Sequence, residues 1–251
     1  MREMHESFRS VAVGGREYLE CVPLAARARH LFSTRQLELP ADPVVRRAGF
    51  DVFARDLGVD PLSIARARQV HGRAVMVVDR ASRAEDLQDA DAIVSAIAGT
   101  ACAVQVADCV PILMAGQGIV AAVHAGWRGT AAGIAGEAVR ALARLGAEPS
   151  TLVAAIGPSI RACCYQVDAR VRDVFAAAPG WPPAEAGFAP DGPGHWRLDV
   201  AGINRRQLEE AGLRPDQIFD SGLCTACDRE RFYSYRAEGA GTGRLVAGIA
   251  A

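Results

Sequence analysis

The chain has no lysine: apart from its five histidines, all 28 basic residues are arginine. Schiff-base and lysine-nucleophile chemistry are therefore excluded. Net charge is −1 and the pI is about 6.5, so there is no basic excess of the kind that nucleic-acid or membrane-surface binders carry. Apolar runs are short and broken by Asp, Gly or Gln, which argues against a membrane span. Met1–Ser10 is polar, mixed in charge and lacks the apolar core of a signal peptide. Neither standard glycine-rich phosphate loop occurs. These absences point to a cytoplasmic protein with no nucleic-acid and no membrane partner, whose seven cysteines are reduced thiols.

What is present is a chain of 251 residues, half of them hydrophobic, long enough to bury a sizeable core. Val11–Val13 reads as extended. Arg-rich residues 44–57 carry apolar side chains at helical spacing. From Ala74 onward, the runs Val75–Val78, Ala92–Val94, Ala101–Val106, Ile112–Met114 and Ile119–Val123 read as consecutive strands separated by Gly, Asp or Pro. Thr130–Leu145 reads as a helix closed by Gly146, and Leu152–Ile156 as a strand. Val167–Ala178 and Val200–Ala211 read as helices, with Pro179–Gly194 an exposed loop. Ile218–Leu223, Phe232–Tyr235 and Leu245–Ile249 read as closing strands. Adjacent strands with grouped helices predict an α+β layered fold, kept as a single domain over 1–251 because no linker divides it.

Three segments carry chemistry. Gln69-Val70-His71-Gly72 precedes a strand. Ala107-Asp108-Cys109-Val110-Pro111 interrupts two apolar runs, and Pro111 predicts a turn near Cys109. His124-Ala125-Gly126-Trp127-Arg128-Gly129 lies where a strand gives way to a helix. Its two glycines would let the backbone turn sharply and approach a ligand. A helix starting near Thr130 would offer free N–H groups to an anion beside Arg128. Two His and one Cys would leave one coordination position open, as in a catalytic zinc site, and a thiolate beside imidazoles also suits copper. Each residue also has an ordinary reading, the Cys as a small core residue and the His as satisfied polar groups. The separations, 38 and 15 residues, form no short metal signature.

Cys224-Thr225-Ala226-Cys227 is a lone C-x-x-C, compatible with half of a structural zinc site shared with Cys163 and Cys164, or with a redox pair. Two thiols in a strand-end turn is the simpler reading. Arg236 and Arg244 flank a Gly-rich turn, where solvated surface is the commoner role and phosphate binding the alternative.

Taken in order, Gln69–Gly72, Asp89–Ala92, Ala107–Cys109, Val123–Gly129, Ile156–Pro158, Cys224-Thr225, Phe232–Arg236 and Thr242–Arg244 resemble the polyphenol oxidase (laccase-domain) family, now regarded as a purine nucleoside phosphorylase family. The resemblance implies a layered mixed β-sheet core flanked by helices, similar to the Cys–His toxin deamidases. It implies His71, Cys109 and His124 as metal ligands, with zinc or copper bound. Those three and Arg128 would be catalytic, with Arg35, Asp108 and Arg128 binding substrate and Asp108 orienting a ligand histidine. The implied activity is phosphorolysis of adenosine, inosine and methylthioadenosine, together with adenosine deamination. The rival expectations are a copper-dependent phenol oxidase and a metal-free Cys109–His124 hydrolase acting on cell-wall precursors. Five histidines are too few for a multicopper centre. The chain departs from the pattern after Arg35, where Gln36–Pro40 replaces a longer Gly-rich loop. It departs again at Gly49-Phe50, where an Asn-Arg pair is common, and Cys227 lies outside the pattern.

Overall fold

A computed structural model describes residues 4–78, 88–178 and 187–251. Strands β1 (Phe8–Val13), β2 (Arg16–Cys21) and β3 (His30–Ser33), with helix α1 (Val22–Ala25) between the last two, lead into helix α2 (Pro43–Leu57). There follow β4 (Ile64–Ala65), β5 (Val75–Val77), β6 (Ala92–Ser95), β7 (Ala101–Val106), β8 (Val110–Gly116) and β9 (Ile119–Ala125), then helices α3 (Trp127–Ala131) and α4 (Ile134–Arg144). The chain continues through β10 (Val153–Ile156), β11 (Gln166–Asp168), α5 (Ala169–Ala176), β12 (Phe188–Pro190), β13 (His195–Leu198) and α6 (Val200–Glu210). It closes with β14 (Ile218–Asp220), α7 (Tyr235–Glu238) and β15 (Leu245–Ala250).

Two six-stranded mixed sheets form, in the orders β1-β2-β3-β15-β7-β4 and β14-β10-β8-β9-β6-β5, beside a small sheet β11-β13-β12. Period-two alternation sorts each central strand between two cores. On β9, Ala121 and Val123 face α4 and α6, while Val120 and Ala122 face the other large sheet. On β15, Leu245, Ala247 and Ile249 face inward between the sheets, and Val246 and Ala250 face α2. The result is four layers, helix–sheet–sheet–helix. Both faces of the central strands are buried, which is why their sequences are nearly continuous apolar runs.

Four expectations are corrected. The helix expected over Thr130–Leu145 starts earlier, at Trp127, and is broken in two, because Gly133 takes a left-handed conformation (φ 85°) between α3 and α4. Val167–Ala178 begins as strand β11, and Asp168 then caps α5 by accepting the N–H of Arg170. Phe232–Tyr235 is not a strand: Phe232 is buried between the sheets and Ser234 caps α7. Within the expected loop Pro179–Gly194, residues 179–186 lie outside the described residues, and Phe188–Pro190 is strand β12, paired with β13.

Candidate metal centre and cavity

Turns at the strand ends bring the three segments together. β7 ends at Val106 and β8 begins at Val110, so Cys109 sits in the intervening turn, as Pro111 predicts. Antiparallel pairing sets Val110 opposite Ala125 and Pro111 opposite His124, which places Cys109 beside the end of β9. His71 arrives on the loop before β5. That loop is folded around one carboxylate: Asp91 accepts the backbone N–H groups of His71 (2.9 Å) and Gly72 (2.6 Å). The backbone turns through left-handed conformations at His71 (φ 60°) and Asp108 (φ 86°), one a ligand candidate and the other next to one. Non-glycine residues in this region are uncommon and concentrate at functional sites.

The ligating atoms of His71, Cys109 and His124 all lie within 4.8 Å of one another. The Cys109 Sγ is 3.9 Å from His71 Nε2, and the two imidazole planes are nearly perpendicular, at 81°. His124 Nδ1 is 2.8 Å from Asp91 Oδ1 in a buried pair, leaving Nε2 for a ligand. This carboxylate–histidine arrangement is the usual support of a metal-binding imidazole. Asp91 thus fills the orienting role expected of Asp108. Asp108 instead accepts from Thr225 Oγ1 (2.6 Å) and from the backbone N–H of Arg236 (2.7 Å). Asp91 lies in the Asp89–Ala92 segment quoted for the family resemblance. Its contact with His124 was invisible because it depends on the β6–β9 pairing, in which Ala92 faces Val123.

The glycines of the His124–Gly129 segment serve close packing more than turning. A Cβ on Gly126 would fall 2.8 Å from His71 Cδ2 and 3.1 Å from Cys109 Sγ, and one on Gly129 would fall 2.7 Å from the Gly72 carbonyl oxygen. Helix α3 is only five residues long and starts without a side-chain cap. Thr130 therefore lies inside α3 with its N–H bonded to the Gly126 carbonyl, and the helix start expected there is three residues earlier, at Trp127, next to Arg128, which faces the cavity.

Electrostatics couple the three side chains. Burial opposes ionisation of Cys109, but His124 and His71 outweigh it and bring the thiol down to about 6. Burial likewise opposes protonation of His124, yet Cys109 and Asp91 raise it to about 9. Asp91 stays ionised despite burial because His124 and the N–H groups of Gly72 and His71 hold its charge. Without metal the group is thus a thiolate–imidazolium pair backed by a carboxylate.

His71, Cys109 and His124 open onto a cavity of about 510 Å³ that also takes in Asp108, Trp127 and Tyr165. Four arginines face it, Arg46, Arg128, Arg236 and Arg244, so the residues flanking the Gly-rich turn are cavity walls. The Arg128 guanidinium stacks 4.3 Å from the Trp127 ring centre, and that of Arg236 stacks 4.9 Å from Tyr165. Among the described residues neither is in an ion pair. Arg35 lies apart from the cavity lining. It stacks on Tyr233, bonds the Arg229 carbonyl and pairs with Glu238, tying β3 to the loop that carries α7.

Solved structures with this architecture define the class. YlmD of Geobacillus stearothermophilus aligns with a TM-score of 0.88 at 32% identity, covering 98% of this chain and 99% of that one. The hypothetical protein YfiH of Bacillus licheniformis aligns at 0.87 with 28% identity, again over 98% and 99%. Residues 42–251 match the family described as multi-copper polyphenol oxidoreductase laccase, and the chain belongs to that family. Sequence relatives include a purine nucleoside phosphorylase of Streptomyces coelicolor, 40% identical over 209 residues and 82% of each chain. An adenosine deaminase from an unknown prokaryotic organism is 36% identical over 206 residues and 78% of each chain. No described helix is long and apolar enough to cross a membrane.

Proposed function

We propose that this chain is a metal-dependent purine nucleoside phosphorylase for adenosine, inosine and methylthioadenosine, with adenosine deaminase activity at the same centre. The observation that carries this reading is the meeting of His71, Cys109 and His124 on a cavity faced by four arginines. Names of relatives point the same way. The cavity is of a size that suits a nucleoside with an inorganic anion.

His71, Cys109 and His124 would hold zinc or copper, since a thiolate and two imidazoles, one backed by a carboxylate, match the donor chemistry of either ion. When bound, the ion supplies Lewis-acid polarisation. Arg128 anchors phosphate, its plane fixed by Trp127. In phosphorolysis a phosphate oxygen attacks the sugar C1′ and the purine departs with a proton. Held cationic groups near the attacking anion stabilise and orient it without reorganisation. In deamination water adds at purine C6 and ammonia leaves. Asp108 shapes the wall by holding the backbone of Arg236 and the hydroxyl of Thr225.

The test is to quantify bound metal and then incubate the protein with adenosine, with and without phosphate, identifying products by mass spectrometry. Adenine and ribose 1-phosphate appearing only with phosphate establish phosphorolysis, and inosine in either condition establishes deamination. No turnover by folded, metal-loaded protein overturns the proposal.

The thiolate–imidazolium pair of Cys109 and His124 supports a second reading, a metal-free hydrolase with Cys109 as nucleophile and cell-wall precursors as substrates. Activity that survives exhaustive chelation but not thiol alkylation would select it.

A further inference from the structure

We propose a second metal site in this chain, a four-thiolate centre formed by Cys163, Cys164, Cys224 and Cys227 that takes a single zinc-class divalent ion. The four sulfurs come from two loops far apart in sequence, and all lie within 4.8 Å of one another. Cys227 Sγ is 3.6 Å from Cys163 Sγ and 3.3 Å from Cys164 Sγ. A tetrahedral ion with Zn–S bonds of about 2.3 Å would hold its sulfurs about 3.8 Å apart, so little movement is needed to close the site. A multinuclear iron–sulfur cluster needs more space between its thiolates than this. All seven cysteines are free thiols, and the two contacts to Cys227 are well beyond a disulfide bond length.

The surrounding structure holds both loops in place before any ion binds. Ser159 donates its N–H to the Leu223 carbonyl and accepts that of Thr225, forming a bridge opposite Cys224. The buried Arg161 clamps Asp220 with two bonds, of 2.6 and 2.7 Å, and donates to the Leu223 carbonyl. The Cys163 carbonyl is itself held by Arg197. Four soft donors on a pre-joined pair of loops satisfy the ligand count and type of a closed structural zinc site, with no position left for substrate.

The place of the cluster gives it a purpose. Tyr165, the residue after Cys164, lines the cavity, and Thr225, the residue after Cys224, holds Asp108 beside Cys109. An ion here would staple the wall of the reactive cavity without touching the reacting atoms.

Cobalt(II) binding to the metal-stripped, reduced full-length chain tests this, because the thiolate-to-cobalt charge-transfer band strengthens with each thiolate. The Cys109→Ser variant removes the only thiolate of the histidine site. It should still bind one cobalt with the intense four-thiolate band. Cys163→Ser/Cys227→Ser changes the two exposed members of the cluster and should lose that band and one zinc per chain, while keeping Cys109-dependent cobalt. A Cys109→Ser protein without the four-thiolate band overturns the proposal, as does a disulfide among these cysteines in protein isolated without oxidant. Neither outcome bears on nucleoside turnover, which is measured separately.

Discussion

Asp91 holds His124 twice: its carboxylate lies 2.8 Å from the imidazole Nδ1, and its carbonyl accepts the His124 backbone N–H at 2.7 Å. The same carboxylate gathers the N–H groups of His71 and Gly72. One buried side chain therefore sets the position of both histidines around Cys109. Asp91→Asn keeps the shape but loses the charge and turns a donor toward N–H groups. Metal affinity should fall roughly 10- to 100-fold, the usual cost of losing a partner behind a ligand histidine. Competition with a chromogenic chelator measures it, and an unchanged affinity would remove Asp91 from this role.

Gly126→Ala places a methyl against His71 and Cys109. The imidazole and the sulfur must separate, so bound metal at this centre should drop sharply. Thermal unfolding of the metal-free protein should change less, because Gly126 already has an ordinary negative φ of −72°. Elemental analysis alongside calorimetry distinguishes this from general unfolding.

Metal-free protein should show Cys109 alkylation rising through a midpoint near pH 6, where its thiolate forms. Metal at the site should abolish the reaction by occupying the sulfur. Peptide mapping after brief iodoacetamide treatment reads both effects. A midpoint near the ordinary thiol value would contradict the coupling with His124.

Arg128→Ala should raise the KM for phosphate by roughly 10- to 100-fold, the equivalent of one charge-assisted hydrogen bond. The KM for adenosine in deamination, which needs no phosphate, should change far less. Equal effects on both reactions would show that Arg128 does not act as the anion anchor.

His30 predicts a stability effect with a defined sign. It is buried on β3 with Nε2 accepting the Cys21 N–H at 2.9 Å, while Nδ1 lies 3.1 Å from the Ala28 carbonyl. Burial lowers its pKa from the ordinary 6.5. The unfolded chain takes up a proton before the native state does, so this contribution is complete above pH 6.5 and is lost as pH falls below it. Urea unfolding at pH 7.5 and 5.5 should show a smaller decrease for His30→Gln than for the parent chain.

Much of the candidate metal centre was legible because its candidate donors stand at breaks between apolar runs. A histidine before Gly72, a cysteine before Val110-Pro111 and a histidine at the end of Ile119–Ala125 are local facts. Hydrophobic runs likewise marked β7, β8, β9 and β15, whose side chains are buried on both faces. Phe232–Tyr235 misled for the same reason: an apolar run marks burial, and a capped loop can bury Phe232 as well as a strand can. Arg35 turns onto Tyr233 and Glu238, outside the cavity lining, and a conspicuous segment says nothing of which way its side chain turns.

By itself the sequence determined the chemistry available to this chain: thiols and imidazoles without lysine, strands marked by short apolar runs, and the helix end before Gly146. Tertiary structure alone decided who meets whom. Asp91 reaches His124 through the β6–β9 register. Cys163 and Cys164 meet Cys224 and Cys227 because Arg161 joins two loops some sixty residues apart, at Asp220. Side-chain chemistry and backbone preference are local properties carried by each residue. Contact between distant residues is a property of packing, set by which sheet edges and loops bury each other's surface.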